Sequence, residues 1–194
     1  MVKLKKSDID KPSARKRILM AAQSEFASCG FGGARVDRIA AAAEVNKAMI
    51  FYYFQSKENL YKSVIMRVLK ELFPRIGKEL EASSDPEHFM EVLPRVYMEF
   101  LLKNPEIIKI IGTALIHDSG RMTGFMRDIL GQIDHLPRKL FKNKIEDWAR
   151  EERITEKNPL HFILNIIPLC IFSIIGKPMV EVMLEESTAE DTVY

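Results

Sequence analysis

The chain has 194 residues, of which 47% are hydrophobic and 29% are charged. That hydrophobic content is enough for a sizeable core, so the composition excludes disorder for most of the chain. Nine glycines and nine prolines are too few for a loop-rich all-β protein, and the supply of Ala, Leu, Ile, Met, Glu and Lys favours helices. We therefore expect an all-α fold.

The charge is unevenly distributed, although the formal net charge is only +2. Residues 1–60 carry eleven basic and six acidic side chains, a net charge of +5, whereas the remainder carries −3. A basic first third on a mildly acidic body is typical of a nucleic-acid-binding module joined to a second domain. Residues 1–12 are predicted to be a basic flexible arm, which either reaches DNA or serves as a solubilising tail.

The cysteine and histidine patterns argue against a metal, cofactor or catalytic site. Cys29 and Cys170 lie far apart and form no CxxC-type pair. The four histidines show neither HExxH nor i, i+4 spacing, and no glycine-rich phosphate loop or dinucleotide fingerprint is present. We expect no metal, no cofactor and no enzymatic activity.

No apolar run in the chain is long enough for a membrane span, which needs roughly 18 to 20 residues. The first residues also lack the apolar segment of a signal peptide. We therefore predict a cytoplasmic protein without a membrane partner.

Residues 13–57 predict a helix-turn-helix domain. A first helix is expected from Ser13 to Cys29, ended by Gly30 in a left-handed conformation and followed by a loop at 30–33. A short amphipathic helix is expected next, and Asn46 is a favourable N-cap for a third helix that ends at Phe54. Two short helices joined by a tight turn deliver the second helix into the major groove of DNA.

Residues 58–187 predict a helical bundle with longer helices and wider apolar faces. Ser56 is expected to cap a fourth helix that is kinked at Pro74 and ends near Leu80. A turn is expected at 118–120 and a frayed acidic tail at 188–194. Further helices are expected at 86–103 with a bend at Pro94, 105–117, 122–151 with an interruption near Pro137, 159–175, and from 178 onward.

The segment 160–175, LHFILNIIPLCIFSII, is apolar on nearly every side. Such a helix must pack against other protein segments on several of its sides. We expect one face to pack in its own domain and another against a second copy, giving a homodimer through about residues 160–186. A purely internal role and a membrane segment are the alternatives, and the second is disfavoured by short length and by His161 and Asn165.

The third predicted helix has two chemically different faces. Val45, Ile50 and Phe54 fall on the inward face. Lysine can bond guanine or phosphate, apolar groups can touch thymine methyls, and tyrosine hydroxyls can reach phosphate oxygens. The alternative is that the aromatic run 51–54 belongs to the core. The outward face of this helix carries Lys47, Ala48, Phe51 and Tyr52, and Met49 and Tyr53 lie at its edges.

A set of residues between positions 30 and 60 follows one family pattern. They are Gly30, Phe31, Val36, Ile39, Ala40, Ala43, Val45, Lys47, Ile50, Phe51, Tyr52, Tyr53, Phe54, Ser56, Lys57, Glu58 and Leu60. This pattern resembles the N-terminal signature of TetR-type (TetR/AcrR-type) transcriptional regulators and covers about residues 13–62. The resemblance implies a three-helix DNA-binding domain joined through a fourth helix to a divergent helical domain that binds a small molecule and dimerises.

Carried over residue by residue, the resemblance implies that Arg35 and Lys57 contact phosphate. A lysine at a helix N-terminus also attracts an anion on independent physical grounds. The remaining implied DNA-contact residues are Lys47, Ala48 and Phe51 at base edges, Met49, Tyr52 and Tyr53 at the backbone or groove wall, and Asn46 at the start of the same helix.

Several positions depart from the family pattern. Arg35 stands where Thr or Ser usually caps the second helix, so that cap is lost. Glu44 stands where the turn usually holds Gly, and a non-glycine residue costs about 1 kcal/mol if the turn needs a positive φ. Ala48 and Met49 replace a common Gly-Thr pair, so the operator sequence does not transfer.

The predicted body could hold an apolar effector, because flexible methionines and flat aromatic rings suit an adaptable cavity. The alternative for each residue is ordinary core packing. The candidates are Met66, Phe89, Met90, Tyr97, Phe100, His117, Met122, Phe125, Met126 and Phe162.

Together these patterns predict a homodimeric repressor that a small apolar ligand releases from a palindromic double-stranded DNA operator. The alternatives are a helical small-molecule-binding protein or enzyme, and a DNA-binding protein without an effector.

Overall fold

A computed structural model describes residues 12–117, 119–132 and 138–190, except for the side chains of 115, 117, 119, 121, 138–139 and 185–190. These ranges form helices and contain no strand, which confirms the predicted all-α class. The helices are α1 (Ala14–Gly33), α2 (Val36–Ala42), α3 (Lys47–Phe54), α4 (Lys57–Ala82), α5 (Pro86–Lys103), α6 (Pro105–His117), α7 (Ser119–Gly131), α8 (Arg138–Arg150), α9 (Pro159–Ile175) and α10 (Lys177–Glu190).

The chain divides into two compact units. The first comprises Met1–Glu71 and Asn104–Asp134, and the second comprises Leu72–Lys103 and His135–Tyr194. The division of function predicted for residues 13–57 and 58–187 stays a prediction.

The first unit has an aromatic core beside the helix-turn-helix. Phe26 of α1 contacts Tyr61 of α4 with 4.8 Å between ring centroids, and Phe31 lies 5.2 Å from the same ring. Phe125 of α7 packs 5.8 Å from Tyr61. α1 also packs along α6. Burial of these rings fixes α1 against α4, and α4 directly follows α3 in the chain.

The second unit is built around α5, α8 and α9. Phe89 lies 5.8 Å from Trp148 and 6.3 Å from Phe162, and Phe141 packs 5.8 Å from Phe162. Three residues at i, i+4 and i+8 of α9, Phe162, Ile166 and Cys170, are buried. Within the described part of the chain, one stripe of α9 is therefore buried.

Two predicted boundaries differ from the structure. Gly30 breaks α1 with φ +63, but residues 31–33 form a further helical turn instead of a loop, because Phe31 packs on the rings of Phe26 and Tyr61. The predicted turn at 118–120 is wrong for Ser119 and Gly120, which begin α7. Glycine weakens a helix by about 1 kcal/mol relative to alanine without forbidding it.

The structure also defines the later boundaries. Asp118 and Pro137 lie outside the described residues, as do 1–11 of the predicted arm and 191–194 of the predicted tail. The backbone of 188–190 is helical and belongs to α10. α4 continues across Pro74, and the kink predicted there stays a prediction.

None of the described helices alone is both long and apolar enough to cross a membrane. α9 taken with Lys177–Leu184 satisfies the length and composition together, although the two segments are bent by 66°.

Candidate nucleic-acid interface

The turn between α2 and α3 has the tight geometry of a helix-turn-helix. Glu44 adopts φ +52, and the Val45 amide donates to the Ala40 carbonyl at 3.0 Å. The expectation that this turn needs a positive φ is confirmed. Because glycine is the residue that takes this conformation without a steric cost, Glu44 holds it at a cost of about 1 kcal/mol.

Capping differs at the starts of α2 and α3. Asn46 accepts a hydrogen bond from the Ala48 amide at 2.9 Å through Oδ1, as predicted. Arg35 makes no side-chain cap on α2, and its backbone N–H instead donates to Glu25 Oε1 at 3.0 Å. The Arg35 side chain is exposed and thus available to a partner.

α3 presents an aromatic and basic surface to solvent. Ile50 and Phe54 are buried, whereas Tyr52 is 79% exposed and Phe51 is 42% exposed. The alternative that the whole aromatic run is core is therefore wrong for Phe51 and Tyr52. The remaining α3 positions also match the predicted pattern, with Lys47 and Ala48 exposed and Met49 and Tyr53 half-buried at the edges. Val45, predicted to point inward, is half-buried.

Lys47 is held by an acid on the preceding helix. Its Nζ lies 2.8 Å from Asp37 Oδ1, and both side chains are largely exposed. Sequence reasoning missed Asp37, although an acid in the first turn of α2 was visible. The pair sets the direction of the ammonium and places a carboxylate beside the outward face of α3.

Lys57 is directed towards its own chain. Its Nζ donates to the Gly32 carbonyl at 3.4 Å and lies 4.9 Å from the Phe31 ring centroid. The predicted phosphate contact requires this half-buried side chain to change partners or share its donors.

Arg17 of α1 donates a hydrogen bond to the turn between α2 and α3. Its Nε donates to the Ala43 carbonyl at 3.0 Å, and its guanidinium also donates to the Pro12 carbonyl at 3.0 Å. Sequence reasoning counted Arg17 only as part of a basic segment. Its placement on the turn depends on how α1 packs, which no local pattern reveals.

The predicted effector residues are distributed between the two units. Met66, Met122, Phe125 and Met126 belong to the first, and Phe89, Met90, Tyr97, Phe100 and Phe162 belong to the second. The side chain of His117 lies outside the described ones. Phe89, Tyr97, Phe100, Phe125 and Phe162 are buried by packing, as the core alternative expects.

Tyr97 of the second unit has a raised pKa. Burial, and to a lesser extent the nearby Cys170, together raise the pKa of Tyr97 from 10.0 to about 12. Burial also raises the pKa of the Cys170 thiol. Both residues behave as core groups.

Within the described part of the chain, no group of three or more His, Cys, Asp or Glu side chains is arranged to hold a metal ion.

Comparison with known proteins assigns the helix-turn-helix to a family. Residues 18–64 match the model of bacterial regulatory proteins of the tetR family. The chain is 30% identical over 129 residues to the HTH-type transcriptional repressor NicS of Pseudomonas putida, covering 60% of this chain and 61% of that protein. It is 29% identical over 144 residues to the HTH-type transcriptional repressor SCO4008 of Streptomyces coelicolor, covering 70% and 71%. Residues 18–64 therefore belong to the TetR family.

One solved structure resembles this chain over much more than residues 18–64. The transcriptional regulator FadR from Bacillus subtilis, in complex with stearoyl-CoA, matches with a TM-score of 0.69 over 84% of this chain and 88% of that chain. Sequence identity is 14%, so the likeness is one of fold. The match to NicS spans about three fifths of that repressor's length.

Proposed function

We propose that this chain is a TetR-family transcriptional repressor that binds a palindromic DNA operator as a homodimer and leaves it when a small apolar ligand binds. The exposed Lys-Phe-Tyr surface of α3, carried on a helix-turn-helix, is the observation that carries the proposal. Exposure of such aromatic side chains to water is unfavourable, whereas the same surface can contact base edges and phosphates in a major groove. The site of action is the cytoplasm, where operator DNA is accessible.

The DNA contacts follow from the exposure and direction of each side chain. Lys47, Ala48 and Phe51 are proposed to face base edges, and Tyr52 to reach phosphate. Arg35 supplies a phosphate contact from the start of α2, and Met49 and Tyr53 touch the groove wall. Lys57 completes the set if DNA competes with the Gly32 carbonyl for its ammonium, and Asn46 orients α3 through its cap.

The homodimer is proposed to form through residues 160–186. Apolar side chains are exposed along this part of the chain on both α9 and α10: Leu160, Leu164, Leu169, Phe172, Ile175, Met179, Val180, Val182, Met183 and Leu184. A contiguous apolar surface of this kind is typical of a protein interface. A two-fold pairing buries the same surface on both copies and sets the spacing of two recognition helices.

The effector is proposed to be a small apolar molecule bound by residues 58–187. The fold-level neighbour FadR holds stearoyl-CoA, so stearate and stearoyl-CoA are the first compounds to test for release of DNA. If either compound abolishes the retardation of an operator duplex by the protein in gel electrophoresis, this part of the proposal is supported. Unchanged retardation by every apolar compound in a wider screen favours a DNA-binding protein without an effector.

The test starts from selection of binding sites out of random duplexes with the purified chain. The expected product is an inverted repeat with half-sites about one helical turn apart. The double variant Lys47→Ala with Tyr52→Ala should lose retardation of that duplex yet keep its size on gel filtration. Lys109→Ala, which removes an exposed lysine of α6, is the matched control and should bind normally. Selection of no sequence, or equal binding by both variants, contradicts the proposal.

A further inference from the structure

The first unit contains a groove between α1 and α4 in which all the charged lining residues are basic. Its volume is about 720 Å³, and its lining includes Arg15, Lys16, Lys62, Arg67 and Lys70 but no Asp or Glu. None of these side chains except Lys62 has a described carboxylate within ion-pair distance. The groove therefore concentrates positive charge in a concave space.

The cations converge because of helical spacing. On α4, Asn59, Ser63, Arg67 and Lys70 line the groove and recur every three or four residues, which places them on one helix face. The first turns of α1 supply the basic side chains of the opposite wall. The Asn59 side-chain amide lies among the charges and can donate to oxygen atoms of an anion, whereas the Ser63 hydroxyl already donates to the Asn59 carbonyl at 2.7 Å.

Some of these cations are fixed and others are free to bind. Lys62 pairs with Asp128 at 2.6 Å between Nζ and Oδ2, and Arg67 donates to the buried Gln23 amide. Arg15 lies over the Phe54 ring with 5.4 Å to its centroid. Asp128 compensates the charge of Lys62, whereas Arg15 and Arg67 keep unused guanidinium donors that can bind an anion.

Lys16 and Lys70 are the free cations of the groove. Both side chains are exposed, and no described hydrogen bond or ion pair engages either ammonium. Each can therefore move onto a ligand without breaking an existing contact.

A second cavity of the same unit shows that this charge pattern is not general. It has a volume of about 610 Å³ and is lined by Arg17 and Arg38 together with Glu25 and Glu44. Its positive and negative side chains compensate each other. The α1–α4 groove lacks that compensation along its lining.

The floor of the groove adds an apolar contribution. Leu19 and Ile129 are buried beneath it, and Met66 is half-buried at its side. A ligand with charged groups at one end and a less polar body fits a wall of cations above such a floor.

We propose that the α1–α4 groove binds a phosphorylated small molecule whose phosphate groups pair with Lys16, Lys70 and Arg67. Phosphate suits this set because lysine and guanidinium groups bind its oxygens through charge-assisted hydrogen bonds. Lys70 lies about 20 Å along α4 from Lys57 at 1.5 Å per residue. A duplex seated on α3 meets the start of α4, whereas a small anion can enter the groove.

The test measures binding of tripolyphosphate to the full chain without DNA, by calorimetry at low salt. One site per chain is expected. Lys16→Gln and Lys70→Gln should each weaken the affinity by about fivefold or more, because each removes one charge-assisted contact. Lys109→Gln is the matched control, since it removes an exposed lysine of α6 outside the groove, and its affinity should stay within about twofold of the parent chain.

Two results overturn the proposal. One is equal weakening by the control variant, which indicates a general ion atmosphere. The other is no binding of tripolyphosphate, and weaker duplex binding by the Lys16→Gln and Lys70→Gln double variant would then assign the groove to the DNA backbone. Because the calorimetric test contains no operator, its failure is separate from failure of the repressor proposal.

Discussion

Gln23 of α1 donates a hydrogen bond to the Glu106 carboxylate of α6, with 2.8 Å between Nε2 and Oε2. Gln23 is only 8% exposed, and its carbonyl oxygen accepts from Arg67 of α4. One buried amide therefore has both ends satisfied and joins three helices of the first unit. Ser24 adds a hydroxyl bond to the same carboxylate at 2.6 Å.

Replacement of Gln23 by leucine should lower the free energy of unfolding by roughly 1–3 kcal/mol, because it leaves two charged groups without their shared partner. Urea denaturation followed by circular dichroism measures the change. Ser24→Ala, at a more exposed position, should cost under about 1 kcal/mol. Equal stability of Gln23→Leu and the parent chain would show that Arg67 and Glu106 find other partners.

Glu44→Gly should raise the free energy of unfolding by about 1 kcal/mol, because glycine accepts the positive φ of the turn without steric cost. Glu44→Ala is the matched control, since it removes the charge but keeps the unfavourable backbone conformation. It should gain no stability. A gain by the alanine variant as large as that of the glycine variant would attribute the effect to the charge.

Asp37→Asn should strengthen DNA binding severalfold at low salt, because it frees Lys47 and removes a negative charge near the duplex. Unfolding stability should change by less than about 1 kcal/mol, since the ion pair is exposed. Filter binding across a salt series measures the first effect. Asp147→Asn breaks a comparable exposed pair with Arg150 in the second unit and should leave DNA binding unchanged. Weaker binding by Asp37→Asn would mean that the pair positions Lys47 for the groove.

Leu169→Glu should convert the proposed dimer to a monomer, because it places a charge in the centre of the exposed apolar stripe of α9. Analytical ultracentrifugation gives the mass, and circular dichroism checks that the helices remain. Leu102→Glu changes another exposed leucine of the second unit outside 160–186 and should keep the parent's mass. A Leu169→Glu dimer would place the interface elsewhere.

As pH rises from 10 towards 12, the free energy of unfolding of the parent chain should fall relative to that of Tyr97→Phe. The folded pKa of Tyr97, about 12, lies above its ordinary value of 10.0, so the unfolded chain loses this proton first. The contribution of Tyr97 to the free energy of unfolding is fully present below pH 10 and is lost as pH approaches the folded pKa. Denaturant titrations at pH 9 and pH 11 measure it. Identical pH dependence in both chains would show that Tyr97 titrates freely.

The helix-turn-helix could be predicted from sequence because its signals are local. Asn46 caps the helix it precedes, and the spacing of Ile50 and Phe54 defines the inward face within two turns. The all-α class followed from composition for the same reason. These features depend on neighbours a few positions apart.

Contacts between distant positions could not be predicted in this way. The Gln23–Glu106 bond spans 83 positions and the Lys62–Asp128 pair spans 66, and nothing in the local pattern selects either partner. The candidate effector residues show the same limit, because buried aromatics such as Phe162 satisfy a core pattern and a pocket pattern equally.

The exposed apolar side chains of α9 and α10 have a thermodynamic consequence. A single chain leaves that surface in water, whereas the proposed dimer would bury it. In that dimer mass action ties folding to association, so the midpoint of thermal unfolding should rise with protein concentration. Dilution would then weaken the fold itself as well as the proposed pairing of two chains.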